Sequence, residues 1–488
     1  MKKLLRFLGT RTFWAGALVL LETAALAAGI FWLRLRFPEL RWLCVLLRTG
    51  LALFAATGPG VGAYKLLWTL TILGLPGVGG LLFLLFSRRG FSRQKSPEKP
   101  PVPSPVSLPP EAREDPAAVR MAACLAAAGP FPPFPATETR YLTPGESKFR
   151  VLCQELEKAR RFIFLEYFIL EPGVMWDKLL AILTRKARQG VEIRLLYDAV
   201  GCCQTLPPGY PEKLRRLGIQ VRSFNPLRPY PSARSAWRDH RKLCIIDGTA
   251  AITGGANLAD EYINVRKKHG YWKDAALLLR GPGAAGFCPM FQSLWDGEAP
   301  APAGTPGFGE GTVIPFWDSP ADRKAVSRDV YLQMIRSARR TLRIQTPYLI
   351  LDEETAGALA LAARSGVRVE IFTPGIGDRR TVQELTRANY PRLLRAGVEI
   401  YEYAPGFLHS KVVAADGTSA VVGSANFDFR SFFLLCECGV WMHRTAAVDE
   451  VEADFRELRA CSVPIRESKV PWYRALIRRV LEIFAPLL

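Results

Sequence analysis

A short pattern of residues occurs twice in this chain and constrains its fold more than any other feature. The first copy, residues 240–257, reads HRKLCIIDGTAAITGGAN, and the second, residues 409–426, reads HSKVVAADGTSAVVGSAN. Side chains two residues apart on a strand share one face, so the His and Lys that open each copy point the same way. An Asp-Gly pair between two apolar runs is typical of a hairpin turn. Each copy therefore predicts strand, turn and strand, with His, Lys and Asn at one sheet edge.

The two copies belong to a longer internal repeat. FIFLEYFIL in the first half corresponds to TLRIQTPYLI in the second, and ARQGVEIRLLYD corresponds to ARSGVRVEIFTP. Each unit reads helix, strand, helix, strand, helix, strand, which is typical of an α/β fold with largely buried strands. We therefore expect two similar lobes, residues 137–303 and 304–488. The first lobe has about ten extra residues just before His240, a basic and aromatic stretch interpreted as either a lipid-facing or a solvated loop.

The repeated residues suit phosphodiester chemistry. A neutral imidazole can attack phosphorus and form a phosphohistidine, and a second, protonated imidazole can donate to the leaving oxygen. Lysine and asparagine side chains can hold the nonbridging oxygens and stabilise charge in the transition state. Of four histidines, only two occupy the repeated position, whereas His269 and His443 are interpreted as ordinary. The resulting candidates are His240, Lys242, His409 and Lys411 for catalysis, and Asn257 and Asn426 for phosphate binding or orientation.

The doubled pattern resembles the signature of the phospholipase D superfamily over residues 137–488, and the phrases GGANLADEYIN and GSANFDFRSFFLLCE resemble bacterial cardiolipin synthases. The resemblance implies an α/β fold of two pseudo-symmetric phospholipase D-like lobes, with mixed sheets flanked by helices and both histidines at one phosphorus. It further implies that His240 attacks one phosphatidylglycerol, that His409 protonates the departing glycerol, and that a second phosphatidylglycerol completes cardiolipin. No metal or cofactor is expected, because lysines and asparagines supply the positive field.

Carboxylates and further polar residues complete the candidate set. Asp247 and Asp416 belong to the superfamily signature and are retained as catalytic candidates, although their place beside the hairpin glycine favours a structural role. Asp274 and Glu437 are expected to orient the histidines, which they follow by 34 and 28 residues in their own lobes. Three residues at equivalent strand ends are expected to line the pocket or, alternatively, to be polar groups at the core edge: Glu166, Gln345 and Tyr348.

The N-terminal region is apolar enough to predict a membrane anchor. Residues 13–33 and 66–86 are each long enough to cross about 30 Å of hydrocarbon as a helix. Lysine and arginine before the first and after the second place both ends in the cytoplasm. Residues 43–57 are interpreted as an interfacial segment rather than a third span, and a cleaved signal peptide is the alternative for the first span. Residues 1–91 are thus predicted as a multi-pass region of the bacterial cytoplasmic membrane, with the lobes on the cytoplasmic side.

The remaining segments connect and flank these parts. Residues 92–136 are rich in proline and are predicted to be a semi-rigid linker. Residues 471–488 predict a basic amphipathic helix that either lies in the membrane interface or packs on the second lobe. The ten cysteines are interpreted as reduced thiols, with a disulfide in an exported domain as the alternative.

Several functions remain open alongside cardiolipin synthesis. A hydrolytic phospholipase D and a phosphatidyltransferase using another alcohol fit the same motifs. A nuclease is permitted by the net charge of +20, but the predicted spans argue against it. A non-catalytic membrane scaffold is disfavoured because both motifs are intact. The expected partners are phosphatidylglycerol and anionic membrane lipids, and no nucleic acid.

Overall fold

A computed structural model describes residues 28–29, 32, 36–37, 39–58, 60–87, 108–226, 236–295, 307–322, 324–467 and 470–487. They divide into two compact units. The smaller contains the described residues up to Ser87, together with residues 236 and 483–486, and the larger contains the rest.

The smaller unit is helical, with α1 (Glu39–Thr57), α2 (Gly62–Gly74) and α3 (Val78–Phe86). Small and aromatic side chains pack these helices together, with Trp68 and Phe83 in edge-to-face contact at 5.5 Å between centroids.

The prediction of one continuous helix over residues 66–86 is wrong. The structure breaks this stretch into α2 and α3, because Pro76 cannot donate a backbone hydrogen bond and Gly77 adopts a positive φ of 84°. Within the part of the chain that the structure describes, no helix combines the length and the apolar character needed to cross a membrane. The first predicted span, residues 13–33, lies outside the described residues apart from positions 28, 29 and 32.

The larger unit contains twenty strands. Those of the first half are β1 (Phe134–Pro135), β2 (Glu138–Leu142), β3 (Phe162–Tyr167), β4 (Glu192–Asp198), β5 (Gln220–Phe224), β6 (Arg238–Asp239), β7 (Lys242–Ile246), β8 (Ala250–Gly254), β9 (Tyr271–Lys273) and β10 (Ala276–Arg280). Those of the second half are β11 (Thr312–Trp317), β12 (Thr341–Gln345), β13 (Arg368–Pro374), β14 (Glu399–Tyr403), β15 (Gly406–Leu408), β16 (Val412–Ala415), β17 (Ser419–Gly423), β18 (Leu435–Cys436), β19 (Cys438–His443) and β20 (Ser462–Ile465).

Helices alternate with these strands as the repeat predicted. In chain order they are α4 (Pro110–Arg113), α5 (Pro116–Ala128), α6 (Gly145–Lys158), α7 (Val174–Arg188), α8 (Tyr210–Arg216), α9 (Pro282–Ala285), α10 (Cys288–Trp295), α11 (Val326–Ser337), α12 (Glu353–Arg364), α13 (Arg380–Ala388), α14 (Tyr390–Arg395), α15 (Phe429–Phe433), α16 (Ala446–Ala460) and α17 (Trp472–Phe484).

Two mixed sheets with the same topology confirm the internal duplication. The first lobe has the strand order β2-β10-β8-β7-β3-β4-β5. The second has β1-β11-β19-β17-β16-β12-β13-β14-β20, whose seven inner strands repeat the first order. In both sheets the three strands of the α/β units are parallel, and the motif hairpin joins them in antiparallel register. The predicted α/β class with two phospholipase D-like lobes is confirmed.

The linker predicted over residues 92–136 is wrong in its described part, from residue 108 onward. Met121 and Leu125 of α5 are buried, at 2% and 0% exposure, and they pack into the same core as Val330 and Ile344 of the second lobe. Strand β1 pairs with β11 at the edge of that lobe's sheet. An alanine-rich helix with an apolar face can pack into a core. The proline content of the surrounding sequence therefore did not show where the folded lobes begin.

The C-terminal helix α17 forms as predicted and presents apolar side chains outward. Trp472 is 79% exposed, and Leu476 and Val480 are exposed as well. Arg478 is the buried residue of this helix, and its Nε donates to Glu384 Oε2 at 2.8 Å. The helix therefore contacts the second lobe through an ion pair. All ten cysteines are free thiols.

Candidate active site

Two very short parallel strand pairs join the lobes and build the site. β6 of the first lobe pairs with β18 of the second, with Asp239 opposite Cys436. β15 of the second lobe pairs with β9 of the first, with Leu408 opposite Lys273. The residue that follows each of these four strands is a candidate site residue. The pairing of β6 with β18 therefore places His240 beside Glu437, and the pairing of β15 with β9 places His409 beside Asp274.

The two histidines are held in matching geometry. His240 Nδ1 lies 2.9 Å from Glu437 Oε1, and His409 Nδ1 lies 2.7 Å from Asp274 Oδ2. The expectation that Asp274 and Glu437 serve the histidines of their own lobes is thus wrong in its pairing, because the contacts cross between lobes. Since the carboxylates engage both Nδ1 atoms, the Nε2 atoms are left to meet a substrate.

Aromatic rings enclose both imidazoles. Phe168 packs edge-on against His240 with 5.1 Å between ring centroids. Tyr262, Trp272 and Phe407 surround His409 at 5.6, 5.1 and 5.7 Å. The His240 side chain keeps 12% exposure and that of His409 keeps 9%, so each ring has little contact with water.

The two motif lysines are fully enclosed. Lys242 and Lys411 are 0% and 1% exposed, and each Nζ donates to the backbone carbonyl of the histidine two residues before it. Burial lowers the pKa of Lys242 to about 7 and that of Lys411 to about 8. Two buried ammonium groups held beside two imidazoles form a strong site for a phosphate anion.

Burial and the neighbouring lysines lower the pKa of both imidazoles. Burial, followed by Lys242 and Lys411, lowers the pKa of His240 well below its usual 6.5. Burial and Lys411 lower the pKa of His409 to about 4, opposed by the Asp274 carboxylate.

The two carboxylates differ in their protonation. Burial raises the pKa of Glu437 to about 7, with Lys242 acting against it. Burial also acts to raise the pKa of Asp274, but His409 and Lys411 outweigh it and the net shift is downward. Asp274 is therefore the permanently charged partner.

The motif asparagines are hydrogen-bonded to groups of the protein. Asn257 Oδ1 accepts from the backbone N–H of Ile169 at 3.0 Å, and its Nδ2 donates to the Tyr262 hydroxyl at 2.7 Å. Asn426 Nδ2 donates to Asp428 Oδ2 at 3.1 Å. These contacts favour an orienting role over direct phosphate binding.

The signature aspartates Asp247 and Asp416 lie at the far ends of the motif strands, and their geometry does not support a catalytic role. Each is seven residues from its histidine, or about 23 Å along an extended strand. Both have positive φ, 55° and 56°, at the hairpin turn. Their carboxylates each accept three backbone N–H bonds from the start of the neighbouring strand, namely from Arg160, Arg161 and Phe162 and from Arg339, Arg340 and Thr341.

The equivalent residues Glu166 and Gln345 lie beneath the histidine motifs, but with different partners. Glu166 is fully buried, and its Oε1 accepts from Arg241 Nη1 at 3.2 Å. Gln345 accepts from the Ser410 hydroxyl and donates to Asp454 Oδ2 at 2.8 Å. Both residues are enclosed in the protein and act on the motif strand. Tyr348 instead lies half-buried at a cleft, and its hydroxyl donates to Asp378 Oδ2 at 2.8 Å.

Sequence reasoning missed the charged residues that support the first motif. Asp239, Arg241 and Asp198 are buried, and Asp198 Oδ2 accepts from the backbone N–H of Asp239 at 3.0 Å. Burial and then the Glu166 charge raise the pKa of Asp239 well above its usual value. Arg241 stands between His240 and Lys242 in the motif, and that adjacency was the one available signal.

The expectation of a lipid-facing or, alternatively, a solvated loop before His240 is wrong for Arg238. This residue is 3% exposed, its Nη1 donates to the carbonyl of Asn225 at 2.9 Å, and it pairs with Asp198 at 3.6 Å. The stretch 227–235 lies outside the described residues. In the described part of the chain, no three His, Cys, Asp or Glu side chains cluster as metal ligands would.

Comparisons with known proteins agree with this architecture. The family model described as "Cardiolipin synthase, PLD-like domain" matches residues 152–270 and 331–459, one segment in each lobe. A Streptococcus mutans protein described as uncharacterized is 40% identical over 446 residues, which cover 86% of this chain and 96% of that protein. A cardiolipin synthase of Geobacillus kaustophilus is 35% identical over 417 residues, which cover 81% of this chain and 82% of that one.

One solved structure is similar to this chain in fold. Phosphatidylserine synthase of Haemophilus influenzae has a TM-score of 0.59 at 14% identity, covering 76% of this chain and 99% of that one. The matched family segments and the relatives above 30% identity show that the chain belongs to the phospholipase D-like cardiolipin synthase family.

Proposed function

We propose that this protein is a phosphatidyltransferase that joins two phosphatidylglycerol molecules and releases glycerol, producing cardiolipin. The observation that carries the proposal is the crossed pair of histidine–carboxylate contacts, at 2.9 and 2.7 Å, beside two buried lysines. Such a site binds a phosphodiester anion and offers a nucleophile and a proton donor to it. The 35% identity to a cardiolipin synthase across most of both chains supports this choice of substrate.

In the first half of the reaction, His240 Nε2 attacks the phosphorus of one phosphatidylglycerol. The bond between phosphorus and the glycerol oxygen breaks, and His409 Nε2 donates a proton to that oxygen. His240 suits the nucleophile because its pKa is lowered well below 6.5, chiefly by burial, which keeps the ring neutral. His409 suits the acid because the charged Asp274 supports its imidazolium, and a bound phosphate anion adds to that support.

In the second half, a hydroxyl of another phosphatidylglycerol attacks the phosphohistidine. His409 Nε2 takes the hydroxyl proton, the phosphorus–nitrogen bond breaks, and cardiolipin leaves with His240 neutral again. Lys242 and Lys411 offset the negative charge of the phosphoryl oxygens throughout. We further propose that this chemistry occurs at the bacterial cytoplasmic membrane, where both lipids reside, with the lobes on the cytoplasmic side.

The direct test is to incubate the purified full-length protein, in detergent micelles, with phosphatidylglycerol labelled in its headgroup glycerol and separately in its acyl chains. Cardiolipin together with free glycerol is the expected result. Phosphatidic acid as the sole lipid product would instead show a hydrolase. Formation of another phospholipid only when ethanolamine or serine is added would show a different acceptor alcohol.

A matched histidine variant controls this test. His443 is buried outside the site, with Nδ1 3.1 Å from the Ser419 hydroxyl, so His443→Gln is expected to keep turnover. His240→Ala and His409→Ala are expected to lose it. Near-full turnover in either of the latter two would overturn the shared two-histidine site.

A further inference from the structure

A narrow cleft beside His409 carries a carboxylate with no role in the mechanism above. It is lined by residues of β15, by the loop after β12 and by the loop and helix after β13, and Tyr348, Asp378, Arg379, Gln383 and Phe407 are among them. All of these residues belong to the second lobe.

The cleft is connected to the catalytic imidazole through Phe407. Phe407 and His409 are two residues apart on extended backbone, so their side chains share a face, and their ring centroids are 5.7 Å apart. Tyr348 also packs against Phe407, with 6.4 Å between ring centroids. The cleft therefore lies one aromatic ring away from the imidazole that handles the alcohol proton.

The carboxylate of Asp378 is held in place by a hydrogen bond and can still accept others. Its Oδ2 accepts from the Tyr348 hydroxyl at 2.8 Å, and burial, followed by Asp378, raises the pKa of that phenol well above 10, so it remains a donor. Arg379 Nε is 4.0 Å from Oδ2. The Asp378 side chain keeps 21% exposure, so the carboxylate can accept further hydrogen bonds.

We propose that Asp378, held by Tyr348, binds the vicinal hydroxyls of a glycerol headgroup and so selects glycerol-bearing lipids at His409. This inference rests on the proposed phosphatidyl transfer, since glycerol is both the leaving group and part of the acceptor. Hydroxyl groups donate well to a carboxylate. A neutral diol fits better than an ammonium headgroup because the Arg379 guanidinium is already beside the Asp378 carboxylate.

The test measures glycerol binding separately from cardiolipin synthesis. The full-length protein is supplied with bis(4-nitrophenyl) phosphate, which has no hydroxyl group, and release of nitrophenol reports formation of the phosphoenzyme. Glycerol, 1-propanol or ethanolamine is then added as acceptor, and the partition between alcohol adduct and water is followed. For the parent protein we expect saturable capture by glycerol at lower concentration than by 1-propanol.

Asp378→Asn is expected to raise the half-saturating glycerol concentration about 10- to 100-fold, the loss expected for a hydrogen bond to a charged group, with nitrophenol release unchanged. Tyr348→Phe should shift it in the same direction by less. Glu353→Gln, at a carboxylate side chain with 93% exposure, should leave both quantities unchanged.

Distinct outcomes separate the two proposals. Retained glycerol preference in Asp378→Asn, parallel loss of nitrophenol release, or better capture of ethanolamine than of glycerol would each overturn the diol site. Normal glycerol capture without cardiolipin from phosphatidylglycerol would instead overturn the proposed function and leave the diol site standing.

Discussion

The two half-sites share one geometry but differ in charge. His240 and His409 each contact a carboxylate of the opposite lobe within 3 Å, on backbones of the same topology. Yet burial raises the pKa of Glu437 to about 7, whereas the pKa of Asp274 is lowered despite its burial because His409 and Lys411 stabilise its charge. A duplicated fold can thus give two chemically distinct histidines, one supported by a permanent anion and the other not.

The two lobes also differ in the side chains that lie beneath the histidine motifs. In the first lobe a buried ion pair joins Glu166 to Arg241, whose side chains are both 0% exposed. In the second lobe the equivalent positions are Gln345 and Ser410, joined by a neutral hydrogen bond. The first motif strand therefore lies over a buried ion pair, whereas the second lies over a neutral hydrogen bond.

The largest expected effect separates the roles of the histidines. His240→Ala and His409→Ala should each lower cardiolipin formation by about 1,000-fold or more. With bis(4-nitrophenyl) phosphate, whose leaving group needs no proton, His409→Ala should still accumulate acid-labile phosphate on His240, detected by mass spectrometry after rapid quenching. Phosphate trapped on His409 in the His240→Ala variant would reverse the assignment.

The second largest effect is an expected difference in kcat between the variants of the two carboxylates. Asp274→Asn removes a full negative charge from His409 and should lower kcat by about 100-fold or more. Glu437→Gln should cost about tenfold, because a group with a pKa of about 7 is already partly protonated at neutral pH. Steady-state kinetics at pH 7 on variants with unchanged Tm measure both, and equal losses would contradict the asymmetry.

The groups beneath the motifs should differ in their contribution to stability. Arg241→Ala leaves Glu166 and Asp239 without their cation and should lower the free energy of unfolding by about 3 to 5 kcal/mol. Ser410→Ala removes a neutral hydrogen bond and should cost about 1 kcal/mol. Urea denaturation followed by tryptophan fluorescence measures both, and the comparison fails if the two changes cost the same.

The smallest effect is on the pH profile. The pKa values of Lys242, about 7, and Lys411, about 8, are both lowered mainly by burial, so each loses its proton as pH rises and the phosphate site weakens. We expect kcat/KM to fall above pH 7, and Lys242→Arg to move that fall toward pH 8 because arginine stays protonated. If Lys242→Arg leaves the fall in kcat/KM at the same pH and Lys411→Arg moves it, the lower pKa belongs to Lys411 instead of Lys242.

Local sequence predicted the parts of the site that local chemistry controls. Asp-Gly at 247–248 and at 416–417 predicted both hairpins, because only residues that tolerate positive φ fit those turns. The alternation of helices and apolar strands predicted both sheets. The His–Lys spacing predicted that each lysine lies on the side of its histidine, and each Nζ does bond that histidine's carbonyl.

Prediction from the sequence failed for those parts of the site that depend on contacts between residues far apart in the chain. The crossed contacts depend on β6 with β18 and on β9 with β15, strands of two or three residues with no periodicity to detect. Helix α5 joined the core of the second lobe although it precedes the first in sequence. Arg241 and Asp378 became visible only once burial and the neighbouring loops were known.

The sequence by itself determined that two copies of a histidine–lysine hairpin exist on two α/β lobes, because turn chemistry and hydrophobic periodicity are local properties. The tertiary structure decided which carboxylate meets which histidine and which lysines lose contact with water. Those properties follow from burial and from contacts between residues more than a hundred positions apart, as between His409 and Asp274. No local pattern records such contacts, so the chemical difference between the two histidines appears only when the lobes are packed together.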